Sequence, residues 1–88
     1  MKIAVFDTYV TTHDGARLHF DVLVPEVKTL YAEIFARQWL ADIGLPDDVV
    51  DLESCRYCHS ETPGPEILQE IRDQGCYILQ MEGCPSPR

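Results

Sequence analysis

Hydrophobic and polar positions divide this chain into short segments of changing period. Between Lys2 and Val10 the residues are mostly β-branched or aromatic, and Ile3, Val5 and Phe6 predict a largely buried strand. Asp14-Gly15 is a strong hairpin signal, because the turn needs a positive φ that glycine adopts freely. From Arg17 to Val24 the period is two: Leu18, Phe20, Val22 and Val24 take one face, His19, Asp21 and Leu23 the other. Pro25 closes this return strand. After Glu26 the period becomes 3.6, with Val27, Leu30, Tyr31, Ile34 and Phe35 in one stripe, and a helix is predicted from Glu26 to Ile43, ended by Gly44 and Pro46. Trp39, Leu40 and Ile43 fall outside that stripe and leave only a narrow polar arc around Glu33 and Arg37. A helix so widely apolar wants cover on two sides, and a homodimer contact would supply the second.

The remainder reads as one more helix between two strands. Pro46-Asp47-Asp48 makes a turn, and Val49, Val50 and Leu52 suggest a short third strand entering a cysteine-containing segment. Thr62-Pro63-Gly64-Pro65 opens a helix of about ten residues, with Ile67, Leu68 and Ile71 as its buried stripe and Gly75 at the left-handed position that ends it. Cys76 to Glu82 is the last strand, with Tyr77, Leu79 and Met81 inward, and residues 83–88 form a coil tail. The order β-β-α-β-α-β predicts an α+β fold, a two-layer sandwich of a four-stranded sheet and two helices, in a single domain over residues 1–88.

Composition narrows the partners. Fifteen Asp and Glu against seven Lys and Arg give a net charge of −8 on 88 residues. The cations, Lys2, Arg17, Lys28, Arg37, Arg56, Arg72 and Arg88, are scattered, so neither nucleic acid nor an anionic membrane is an expected partner. A protein or a small molecule is. No apolar run resembles a secretory signal or a membrane span, so the chain is expected in the cytoplasm with its thiols reduced. So short a chain has a marginal core, which a metal, a disulfide or a partner chain would support.

Candidate chemistry centres on Cys55-Arg56-Tyr57-Cys58-His59-Ser60-Glu61, with Cys76 and Cys84 further on. Four readings stay open. A zinc site would take Cys55 and Cys58 as one half, completed from Cys84, Cys76 or His59. A thiol-disulfide oxidoreductase would use the Cys55/Cys58 pair, which needs a thiolate of lowered pKa. The literal C-x-x-C-H string fits haem attachment, but that chemistry belongs to exported proteins, so haem is not expected. Reduced cysteines serving as small apolar residues is the plainest reading. Elsewhere, Asp7, Tyr9, His19 and Asp21 share strand faces and could line a small pocket; Asp7, interrupting an apolar strand, needs a polar partner if buried. No phosphate-binding glycine loop, G-x-S-x-G elbow or H-E-x-x-H occurs, so no familiar catalytic apparatus is recognised.

Val5-Phe6-Asp7-Thr8-Tyr9-Val10, His19-Phe20-Asp21-Val22, Cys55-x-x-Cys58-His59-x-Glu61 and Met81-Glu82-Gly83-Cys84-Pro85, in that order, resemble a family of short bacterial proteins known only as a domain of unknown function. The resemblance spans nearly the whole chain and implies no activity. It does imply that Cys55, Cys58, His59 and Cys84 belong to the family pattern while Cys76 does not, which favours the first four as the metal set. The expected function is a small binding or interaction protein.

Overall fold

The computed structural model describes residues 1–85. Gly15, with φ of 97°, turns the chain between β1 (Ile3–Thr12) and β2 (Arg17–Pro25), which pair antiparallel from Ile3 opposite Pro25 to Thr11 opposite Arg17. With β3 (Val50–Glu61) and β4 (Tyr77–Gln80) they make one antiparallel sheet in the order β3-β1-β2-β4. Two helices, α1 (Ala32–Asp42) and α2 (Pro65–Gln74), complete the expected α+β order. Residues 83–85 carry no helix or strand, and 86–88 of the expected tail lie outside the described residues.

The alternation in β2 sorts side chains as its period requires. Leu18, Phe20, Val22 and Val24 are buried on one face with Ala4 and Val10 of β1, beneath Ala32, Ala36 and Leu40 of α1. Phe20 is fully buried, its ring 4.7 Å from that of Trp39. The opposite face is apolar at one end only, where Ile3, Val5 and Leu23 pack under Ile71 of α2 with Ile67, Tyr77 and Leu79. The two helices therefore lie on opposite sides of the sheet instead of sharing one layer. Leu23, among the polar alternates of β2, joins Ile3 and Val5 of β1 in requiring this second cover.

The first helical segment departs from a single helix over Glu26–Ile43. Residues Glu26–Tyr31 form 3₁₀ turns, broken at Lys28 (φ −118°, ψ 25°), before α1 begins. The side of α1 against the sheet is Ala32, Ala36 and Leu40, and the stripe Val27, Leu30, Tyr31 and Ile34 faces outward, with Val27 90% and Leu30 92% exposed. Small Ala32 and Ala36 let the helix backbone approach the sheet closely, so the buried side is theirs and Leu40's, with Phe35 and Trp39 packed at its margin.

The third strand is long, not short: twelve residues that include the whole cysteine segment. Its pairing with β1 shifts register twice, between Val5 and Phe6 and between Tyr9 and Val10, leaving Cys58 and Glu53 as the extra residues of two bulges. Each bulge reverses the alternation, which keeps Leu52, Cys55 and Tyr57 facing the α1 side opposite Val10, Thr8 and Phe6. The fourth strand is shorter than residues 76–82. Beyond Gln80 the chain still bonds to β2, Met81 N–H donating to the His19 carbonyl (3.1 Å) and His19 N–H to the Glu82 carbonyl (2.9 Å).

Candidate functional site

At the end of the second face that α2 leaves uncovered, strand alternation brings polar side chains together. Asp7 lies opposite Asp21, and Tyr9 opposite His19, all four turned to the same side. His19 Nε2 stands 2.5 Å from Asp7 Oδ1. The His19 and Tyr9 rings stack with centroids 4.2 Å apart and planes 7° from parallel, and the Arg17 guanidinium lies 4.5 Å over the other side of Tyr9. Arg17, Tyr9 and His19 thus form a three-layer stack that fixes the imidazole plane. The His19 backbone is held as well, by the bonds to Met81 and Glu82 and by the Cys84 thiol, which donates to its carbonyl at 3.4 Å. A cavity of about 100 Å³ opens beside the stack, lined by Tyr9, Arg17, Leu18, His19 and Glu82.

Electrostatics mark the same place. Burial, followed by the negative charge of Asp7, pushes the Asp21 carboxyl above its ordinary value of 3.8, with His19 and His59 acting in the opposite direction. Asp7, His19 and Asp21 present one donor atom each within 4.8 Å of one another, and among the described residues no other group of three or more His, Cys, Asp or Glu does so. Donors sharing a tetrahedral zinc sit about 3 to 3.5 Å apart, given bonds near 2 Å. The 4.8 Å span of this group lies above that spacing and the His19–Asp7 contact of 2.5 Å lies below it.

The cysteine segment is arranged differently from a ligand set. Cys55 points to the α1 side, where it accepts a hydrogen bond from the Thr8 hydroxyl at 3.5 Å. Cys58 is an exposed bulge residue. His59 faces the other side of the sheet, its Nε2 2.8 Å from Glu61 and its Nδ1 3.2 Å from Cys58. Cys84 is buried in the main core. The structure therefore does not bring Cys55, Cys58, His59 and Cys84 together as four ligands of one ion. It also opposes the dithiol: three residues along a strand separate two Cα atoms by roughly 10 Å, beyond the reach of a disulfide without backbone movement. Burial pushes the Cys55 thiol up, the reverse of what a reactive thiolate needs. All four cysteines are free. The tight turn that would converge the two sulfurs is absent because the segment is strand.

Arg17 is the site residue that pattern reasoning passed over, although the period of two already placed it on the face of His19 and Asp21. Arg56 is the residue of β3 opposite Asp7 in the ladder.

Among the described residues no helix is long and apolar enough to cross a membrane. The chain resembles protein NE1680 from Nitrosomonas europaea, whose NMR structure is 44% identical with a TM-score of 0.80, covering 96% of this chain and 99% of that one. No curated protein matches it. Over residues 1–81 the chain matches the family described as Domain of unknown function (DUF2024), and it belongs to that family.

Proposed function

We propose that this chain is a small binding protein that takes a divalent first-row metal ion, zinc among them, on the open polar end of its sheet. Asp7 and Asp21 would supply oxygen donors and His19 a ring nitrogen. The observation that carries the reading is the convergence of these three side chains from adjacent strands. Two carboxylates placed opposite each other repel, and a bound dication relieves that repulsion directly. The imidazole is oriented by Tyr9 and its backbone by the 81–84 segment, so little ordering remains to be done on binding. Imidazole with carboxylates suits zinc, manganese or iron better than a soft monovalent ion. The four free thiols suit a reducing compartment such as the cytoplasm.

Titration of the chelator-stripped protein with Co²⁺, followed by absorption and calorimetry, tests this. Expected are one ion per chain, ligand-field bands without the intense sulfur-to-cobalt charge transfer of thiolate ligands, and at least tenfold weaker binding in both His19→Ala and Asp21→Asn. Strong charge transfer would move the ion to the cysteine segment. Binding indifferent to both substitutions, or none at all, would remove the reading.

The outward stripe supports a second reading, self-association. Val27, Leu30, Tyr31 and Ile34 expose on the order of 500 Å² of apolar surface, high in the range for the largest patch on a monomer. Doubled on pairing, it reaches the ~1,000 Å² a specific interface requires.

A further inference from the structure

A second concave surface lies away from the proposed metal site. β4 ends the sheet order, and among the described residues it has a strand neighbour on one side only, β2. A cavity of about 320 Å³ runs along its other edge, walled by Phe35, Trp39 and Asp42 of α1 and by Glu70 and Gln74 of α2. The walls exist because the helices cover opposite faces of the sheet, so the edge of β4 lies in a slot between them. His19 directs its N–H and carbonyl toward the 81–82 segment, and by antiparallel alternation Tyr77 and Leu79 also bond inward while Ile78 turns its backbone groups outward into the slot. The charged residues lining the slot are Asp42 and Glu70, with no Lys or Arg among the lining residues.

We propose that this slot binds an extended peptide segment of a partner protein, four or five residues carrying basic and apolar side chains, which pairs with β4 as a fifth strand. Backbone bonds to the edge would supply affinity, and the aromatic and acidic walls would read alternate side chains. The opposite edge of the sheet is a poorer template, since β3 is broken by the bulges at Glu53 and Cys58. A second copy of this chain is a worse occupant than a basic peptide. Pairing β4 with β4 would bring two sets of Asp42 and Glu70 into one slot, between molecules that already carry −8 each.

The test is an amide NMR titration of the full chain with three capped pentapeptides: Lys-Val-Lys-Val-Lys, its Glu-Val-Glu-Val-Glu counterpart and Lys-Val-Pro-Val-Lys. The basic peptide should shift Ile78 and its β4 neighbours, slow exchange of the Ile78 amide at saturation, and bind about tenfold more tightly than the other two. The preference over the acidic peptide should disappear in the Asp42→Asn, Glu70→Gln double variant, while the proline peptide should stay the weaker of the two basic ones. Equal binding of all three peptides, shifts confined to other surfaces, or no binding would overturn the proposal. So would Ile78 shifts that follow protein concentration without peptide, which would assign the edge to a second copy.

Discussion

His19 Nε2 lies 2.5 Å from Asp7 Oδ1 although the two residues are diagonal, not directly opposed, in the β1–β2 ladder. The direct partner of Asp7 is Asp21, so one imidazole stands beside two carboxylates. Asp7 is only half-buried, and that diagonal gives it a polar partner in an otherwise apolar strand while leaving Asp21 the less well compensated of the pair.

Asp21→Asn should stabilise the metal-free protein near pH 7. Its carboxyl is raised above 3.8 by burial and by Asp7, so between the ordinary and the raised value the folded state holds more protons than the unfolded one. Stability is then lost as pH rises through that window, and the charged form is a cost at neutral pH. The group is partly exposed, so the gain is modest, about 0.5 kcal/mol, read as a midpoint about 2 to 4 °C higher by thermal unfolding. The difference should vanish below pH 3.

Thiol alkylation at pH 7.5 should be led by Cys58, the exposed cysteine. Burial raises the Cys55 thiol above its ordinary 9.0, against the partial relief of the Thr8 hydrogen bond. Burial and Glu70 raise Cys76 likewise. Their reaction rates should climb about tenfold per pH unit across the neutral range, since only thiolate reacts. Mass mapping after short iodoacetamide pulses reads the order. Fast, pH-independent labelling of Cys55 would contradict its half-buried position and raised thiol.

Gly83→Ala should detach the segment that holds His19 in place. Gly83 has φ of 77°, and a Cβ there would lie 2.1 Å from the Arg17 carbonyl oxygen. The substitution should cost upwards of ~1 kcal/mol, lower the unfolding midpoint by ~4 °C or more, and speed hydrogen exchange of the His19 amide. A neutral result would mean that residues 81–84 contribute nothing to holding β2.

Leu30→Asp should leave the fold intact and change only association. Leu30 is 92% exposed, so its replacement should shift stability by less than about 0.5 kcal/mol. In sedimentation runs at high micromolar concentration the parent should self-associate and the variant should be monomeric. A monomeric parent would end the self-association reading.

Much of the architecture was legible locally. The alternation from Leu18 to Val24, the Asp14-Gly15 turn and the Pro65 to Gly75 helix each carry their own signal within a few residues, because turns, caps and a period of two are set by backbone sterics and side-chain direction. The grouping of Asp7, Tyr9, His19 and Asp21 on shared faces followed from the same parity. β3 was harder to read because two bulges reverse its alternation, and a strand that changes phase twice shows no sustained period to a linear reading.

What stood beyond any local pattern was which surfaces meet. Nothing in the spacing of Val27, Leu30, Tyr31 and Ile34 distinguishes a core stripe from an outward one; the close approach permitted by Ala32 and Ala36 decided that, through packing against Phe20 and Val22 far away in the chain. Likewise the C-x-x-C spacing has metal and redox meanings only if its backbone turns, and pairing with β1 held it extended. Side-chain chemistry and local conformation travel with the sequence. Which donors converge is set by strand register and helix placement, and these depend on burying the whole apolar surface at once.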